Sequence, residues 1–163
     1  MRKEVHEPFI KSFEDVSQSY FNINVFEAEV SREKDLTMRD QEVVALGFRG
    51  DYKGVALFGA KPKEIDDLAN RVLALQGRTR GNTGCTEEEW QEIKKSVFIE
   101  FGMQVVERTR ENLYEQGLNT EVSVPSYINP QELENFRYSS ISLKLDNELS
   151  NLNVKLHLEE NVD

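Results

Sequence analysis

The feature that most constrains this chain is one long helical pattern, Thr86 to Gly117, TEEEWQEIKKSVFIEFGMQVVERTRENLYEQG. It opens on a capping box, in which Thr86 accepts from the backbone N–H three residues on and Glu89 reaches back. Glu87, Glu88 and Glu89 suit the positive end of the helix dipole. Gly117 is a stop signal. Between the caps there is no proline and a single glycine, Gly102. At about 1.5 Å per residue the helix runs for roughly 45 Å, long enough to serve as the spine of a chain of 163 residues.

At about 100° per residue, Phe98, Gly102, Val105 and Thr109 line one side of this helix, with Ile99, Phe101, Val106 and Leu113 flanking them. Glu89, Ser96, Glu100, Gln104, Glu107 and Glu111 form the opposite stripe, which ordinary amphipathicity would leave in solvent. Gly102 costs about 1 kcal/mol of helix propensity against alanine. Its place on the buried side predicts a close approach by another backbone.

Composition narrows the function classes. A net charge of −10 argues against DNA, RNA and anionic membranes, since phosphate binding needs a basic footprint. The one cysteine, Cys85, permits no intrachain disulfide and fits a reducing cytoplasm. The N-terminal MRKEVHEPF has no apolar signal core, and no apolar run reaches the length of a membrane span. His6 and His157 are far apart without ligand spacing around them, so neither a zinc site nor another cofactor is expected.

Taken in order, the chain begins with a helix from Pro8 to Phe21, in which Phe9, Phe13, Val16 and Tyr20 repeat at helical spacing. Asn24 to Ser31 alternates as a strand, and a charged loop follows from Arg32 to Gln41. Glu42–Arg49 and Tyr52–Gly59 read as a hairpin around Gly50-Asp51. Arg49-Gly50-Asp51 also spells an integrin-type tripeptide, taken here as a turn. Lys63 to Gln76 forms a helix introduced by Pro62, and Arg78 to Cys85 reads as a mobile linker that lacks the ending of a phosphate-binding Walker loop. After the long helix, Glu121 to Ile128 alternates, with Pro125 marking a sheet edge or strand end. Asn129 to Arg137 is a loop. Tyr138–Asp146 and Asn151–Glu159 are strands joined by Asn147–Ser150, and His157 falls on the exposed face. The expectation is one α+β domain over 1–163: a six-stranded, mainly antiparallel sheet, three helices on one face, and two pseudo-repeated halves of a helix plus three strands.

This element order, with Ser96-Val97-Phe98-Ile99-Glu100-Phe101-Gly102-Met103 and the echo Val124-Pro125-Ser126-Tyr127-Ile128, resembles the CheC/CheX/FliY family of chemotaxis phosphatases. CheX is the nearer likeness, because only the second helix carries anything like the motif, and in a degenerate form. The resemblance implies dephosphorylation of a CheY-type response regulator. In such proteins a glutamate binds a lysine of the regulator, and an asparagine three residues on orients the water that attacks the aspartyl phosphate. The regulator brings its own Mg²⁺, so no resident cofactor is implied, and positioning supplies most of the rate gain. The resemblance also implies a homodimer, which the open edges of such a sheet would favour.

Glu100 matches the family glutamate. Met103 stands where the asparagine belongs, and a thioether cannot orient water as an amide does. Glu107 stands where a glycine is usual. Gln104 lies four residues from Glu100, on the same helical face, at the spacing that CheZ-type phosphatases use on an unrelated fold. That spacing recurs at Glu14/Gln18 and Glu87/Gln91. Glu100 and Gln104 are therefore the candidate catalytic pair, with Ser96, Met103 and Glu107 as candidate contacts to a phosphorylated receiver domain. Three readings stand open: a phosphatase, a binding or dimerisation module that has lost catalysis, and an unrelated domain of the same element order. The acidic balance gives poor long-range steering toward an acidic receiver pocket, so docking must rely on local complementarity.

Overall fold

The computed structural model describes residues 3–23, 27–33, 40–128, 140–146 and 151–161. Its elements are α1 (Lys3–Phe21), β1 (Glu27–Glu33), β2 (Glu42–Gly50), β3 (Tyr52–Ala60), α2 (Pro62–Leu75), α3 (Glu87–Glu115), β4 (Thr120–Val122), β5 (Ser126–Ile128), β6 (Ser140–Asp146) and β7 (Asn151–Glu160). The expected 129–137 loop, the 147–150 connection and most of the 32–41 loop lie outside the described residues. So do the side chains on which the face assignments of β1 and β6 rested.

The helix termini follow local chemistry. Thr86 Oγ1 accepts from the Glu89 amide at 3.2 Å while Glu89 returns a carboxylate to the Thr86 N–H at 3.4 Å, closing the capping box of α3. Gly117, at φ +83°, ends α3 in the left-handed turn that glycine adopts without strain. Pro62 occupies the first turn of α2, where its missing N–H costs nothing. α1 starts five residues earlier than its pattern suggested, so Pro8 lies inside the helix rather than at its first turn. The guanidinium of Arg71, on α2, donates to the carbonyls of Phe21 (3.0 Å) and Asn22 (3.3 Å) at the other end of α1. The bonds satisfy carbonyls that a helix end leaves orphaned.

Every strand pairing is antiparallel, and the path through the sheet is β1-β6-β7-β3-β2-β4, with β5 also on β2. Five strands have seven to ten residues. The expected strand Glu121–Ile128 is instead two three-residue pieces. The registers explain the split. Phe48 faces Val122 and Ala45 faces Ser126, so Leu46 and Gly47 oppose the three residues Ser123, Val124 and Pro125. This is a β-bulge with one extra residue, placed where Pro125 cannot donate to a ladder. Ser123 anchors it, accepting from the Gly47 N–H through Oγ (2.7 Å) and donating its own N–H to the Gly47 carbonyl (2.8 Å).

Alternation sorts the strands into two faces. Val44, Leu46 and Phe48 of β2, Ala56, Phe58 and Ala60 of β3, and Leu152, Val154, Leu156 and Leu158 of β7 form one apolar core with residues of all three helices. Val43 and Leu57 are buried on the other face with Ala45, Val55 and Ile128 around them. Lys155 shares that face and is buried, and His157 is half-buried there beside Glu159 rather than exposed. Gly102 sits where α3 crosses the sheet. A Cβ there would stand 3.3 Å from Leu46 Cδ1 and from Phe58 Cδ2, so the close approach is to sheet side chains, not to a backbone.

Two connectors are firmer than they read in sequence. Asp51 in the Arg49-Gly50-Asp51 turn accepts from the Asn119 N–H at 2.6 Å, and its own N–H donates to the Asn119 carbonyl at 2.8 Å. The tripeptide is thus a turn tied to the connector between α3 and β4. Arg78 to Cys85 is no loose linker: Thr79 and Asn82 exchange side-chain and backbone hydrogen bonds, and Arg80 pairs with Glu87 while stacking over Trp90 at 5.0 Å.

Candidate functional site

The outward face of α3 is set by its buried one. Phe98, Gly102, Val105 and Thr109 are buried against the sheet and neighbouring helices. The helical period therefore turns Ser96, Glu100, Glu107 and Glu111 to solvent, and all four are exposed. Gln104 is half-buried, at the flank where α1 lies. Met103 is half-buried on the other flank and packs against the core.

Gln104 Nε2 donates to Glu100 Oε1 at 3.1 Å. A carboxylate only accepts, so the donor must be the amide nitrogen. The Gln104 carbonyl is left as an acceptor, able to hold a water proton. Glu107 does not join this pair, because its carboxylate accepts from Arg110 Nε at 2.9 Å. Ser96 lies one turn before Glu100, exposed at the start of the stripe. Of the five residues singled out in the sequence, the structure thus brings Glu100 and Gln104 into contact and spreads Ser96, Met103 and Glu107 around them.

A residue that sequence periodicity assigned to the core also borders this face. α1 runs antiparallel to α3 along a seam fixed by Asn112 Nδ2 donating to Ser12 Oγ (3.1 Å) and by Arg108 Nε against Asp15 Oδ2 (3.4 Å). At the far end of the seam the Tyr20 ring stacks on Phe101, at 6.4 Å and 24°. Burial pushes the Tyr20 phenol up to about 12, and the nearby Glu100 charge adds to the rise. Nothing local in the sequence marks Tyr20, since only packing of α1 on α3 brings it there.

The bulge lies on the opposite flank. Lys95 Nζ sits 5.7 Å over the Tyr127 ring, which meets Phe98 at 6.4 Å. Burial, then the Glu42 charge, pushes the Tyr127 phenol well above its usual range. Val124 at the bulge tip is 83% exposed. Among the described residues there is no group of three or more histidine, cysteine, aspartate or glutamate side chains placed to hold a metal. No described helix is long and apolar enough to cross a membrane.

This fold, three helices with an antiparallel sheet, is shared with chemotaxis proteins of the CheC, CheX and FliY types. Solved structures with this fold include CheX in the CheX–CheY–BeF3–Mg²⁺ complex of Borrelia burgdorferi, with a TM-score of 0.78 at 15% identity over 98% of this chain and all of that one. A CheC-like superfamily protein from Shewanella sp. PV-4 matches with a TM-score of 0.75 at 16% identity, covering 98% and 99% of the two chains. FliY of Thermotoga maritima matches more distantly, with a TM-score of 0.61 at 16% identity, covering 94% and 86%. No protein-family model matches the sequence, and no curated protein does.

Proposed function

We propose that this protein docks a CheY-type receiver domain through the outward face of α3, with Glu100 at the centre of the contact. The observation that carries the reading is the exposed Glu100 on the outward face of α3, with Gln104 donating to it at 3.1 Å. The likeness to a CheX captured with CheY and BeF3, a chemical stand-in for a phosphoryl group, supplies the class of partner. An ionised Glu100 suits a lysine ammonium, and only good geometry makes such a pair net favourable once desolvated.

Two outcomes of docking remain, and they differ at one side chain. In the catalytic version the Gln104 carbonyl replaces the family asparagine in holding the attacking water, and positioning supplies the rate. In the binding-only version, Met103 in place of that asparagine leaves the receiver's phosphate to its own decay. The flank on which Met103 packs against the core favours the second version, and the bond that holds Gln104 in place favours the first. Phosphate release from phosphorylated receivers of the same organism separates them. In the catalytic version, Gln104→Ala slows release about a hundredfold while binding survives. In the binding-only version, the wild type gives no acceleration and Met103→Asn restores some. If no variant binds or accelerates, the α3 face is a solvated helix surface.

The same reading places the chain in the cytoplasm with its receiver, as a single domain and a homodimer. The strand order supports two pseudo-repeated halves: exchanging β1, β2 and β3 with β4/β5, β6 and β7 reproduces the order read from the other end. Among the described residues β1 lies at one edge of the sheet and β4/β5 at the other, and a twofold partner can cover such an edge. Light scattering at rising concentration tests the dimer, and a monomer mass throughout rules it out.

A further inference from the structure

The carboxylate–amide bond of Glu100 and Gln104 does not by itself make a site. Gln91 Nε2 donates to Glu87 Oε1 at 2.8 Å in the first turn of the same helix. What distinguishes the second pair is Tyr20, held where the α1–α3 seam ends.

The Tyr20 ring is fixed on two sides, stacked on Phe101 and edge-on to Phe21 at 4.9 Å. The backbone behind it is tied by Arg71 to the carbonyls of Phe21 and Asn22. The Ile23 N–H also donates to the Ser17 carbonyl at 3.2 Å. Tyr20 is half-buried, and among the described residues its hydroxyl makes no hydrogen bond. It is not among the sealed orphans, whereas the Tyr127 hydroxyl is. A ring held on Phe101, the residue next to Glu100, thus carries an O–H that the described residues leave unused.

The chemistry of the face calls for such a group. Glu100 offers only acceptors, and Gln104 spends one of its two amide hydrogens on Glu100, leaving a single N–H donor beside its carbonyl. A receiver bearing a phosphoryl group presents acceptor oxygens as well as a lysine, and acceptors facing acceptors repel. We infer that the Tyr20 hydroxyl is a partner-contacting hydrogen-bond donor of this face, forming with Glu100 and Gln104 the cluster that engages a docked, phosphoryl-bearing receiver. Because the phenol titrates far above neutrality, it keeps its proton at any pH where the complex forms. This assignment rests on the receiver-docking reading.

The test is titration calorimetry of the full chain with a beryllofluoride-activated receiver of the same organism, using wild type, Glu100→Ala, Tyr20→Phe and Tyr20→Leu, with the thermal midpoint of each. Tyr20→Phe keeps the ring and removes only the hydroxyl. The expected result is a three- to tenfold weaker Kd, about the worth of one hydrogen bond, at an unchanged midpoint, while Tyr20→Leu loses both affinity and midpoint. Wild-type affinity in Tyr20→Phe, with Glu100→Ala impaired, overturns the Tyr20 assignment and leaves the docking reading standing. A fall in midpoint that accompanies the loss of affinity in Tyr20→Phe also overturns it, since the hydroxyl would then be structural. If wild type and Glu100→Ala bind alike, or neither binds, the docking reading fails and takes Tyr20 with it.

Discussion

Trp90 Nε1 donates to Asp66 Oδ1 at 2.7 Å, bolting the start of α3 to the N-terminal half of α2. Trp90 is fully buried, and Lys94, also buried, approaches the same oxygen at 4.0 Å. Asp66→Ala strands a buried indole N–H and removes the partner of a buried ammonium. The expected loss is about 1–3 kcal/mol in urea unfolding. Asp66→Asn keeps an acceptor for the indole and should recover part of that loss. Equal stability of the two variants would show that the hydrogen bond contributes little.

Gly102 marks where α3 touches the sheet. Alanine there gains about 1 kcal/mol of helix propensity and presses Leu46 and Phe58 by a few tenths of an ångström. These effects oppose each other, so Gly102→Ala should fall within about 1 kcal/mol of wild type. Gly102→Ile overpacks the contact and should cost about 1–3 kcal/mol. A wild-type unfolding midpoint for Gly102→Ile would contradict the close approach.

Tyr20 gives a pH dependence with a defined sign. Its folded pKa of about 12 lies above the unfolded value of 10. The folded state therefore holds the phenol proton more tightly, and ionisation favours unfolding. Its contribution is complete below pH 10 and is lost between pH 10 and 12. Tyr20→Phe should flatten part of the alkaline fall in stability over that window. An unchanged alkaline limb would remove the case for a half-buried phenol whose proton is held by burial and by the Glu100 charge.

Arg71 fixes the end of α1 through two carbonyls. Arg71→Met keeps most of the apolar stem and loses both bonds, so hydrogen exchange at residues 21–23 should quicken several-fold with little change in the sheet. Uniform exchange across the chain in both proteins would show that α1 ends without that support.

The long helix was legible because its caps, its glycine and its buried face are all local: Thr86, Glu89, Gly117 and the Phe98–Thr109 stripe lie where their chemistry predicts. The hairpin around Gly50-Asp51 was legible for the same reason, with Phe48 opposite Gly54. The bulge was not. Pro125 announced an interruption, but the extra residue exists only in the register against Leu46 and Gly47. Arg80 reads as part of a linker in sequence because its partners, Glu87 and Trp90, belong to the first turn of the following helix. Glu100 and Gln104 were visible as a spacing, but three such spacings occur. In one of them the glutamine turns away, with Gln18 donating to Asn22. Tyr20 reads as one more member of a helical apolar repeat, and its place beside Glu100 is a property of tertiary packing.

The claim at the centre is that Glu100 makes this face a receiver-docking surface. The direct measurement is the affinity of wild type and Glu100→Ala for a beryllofluoride-activated receiver and for the same receiver without beryllofluoride. The expected result is preference of the wild type for the activated form and at least tenfold weaker binding by Glu100→Ala, the scale of a lost charge-assisted contact. Equal affinities for wild type and Glu100→Ala, or no binding by either, would contradict it.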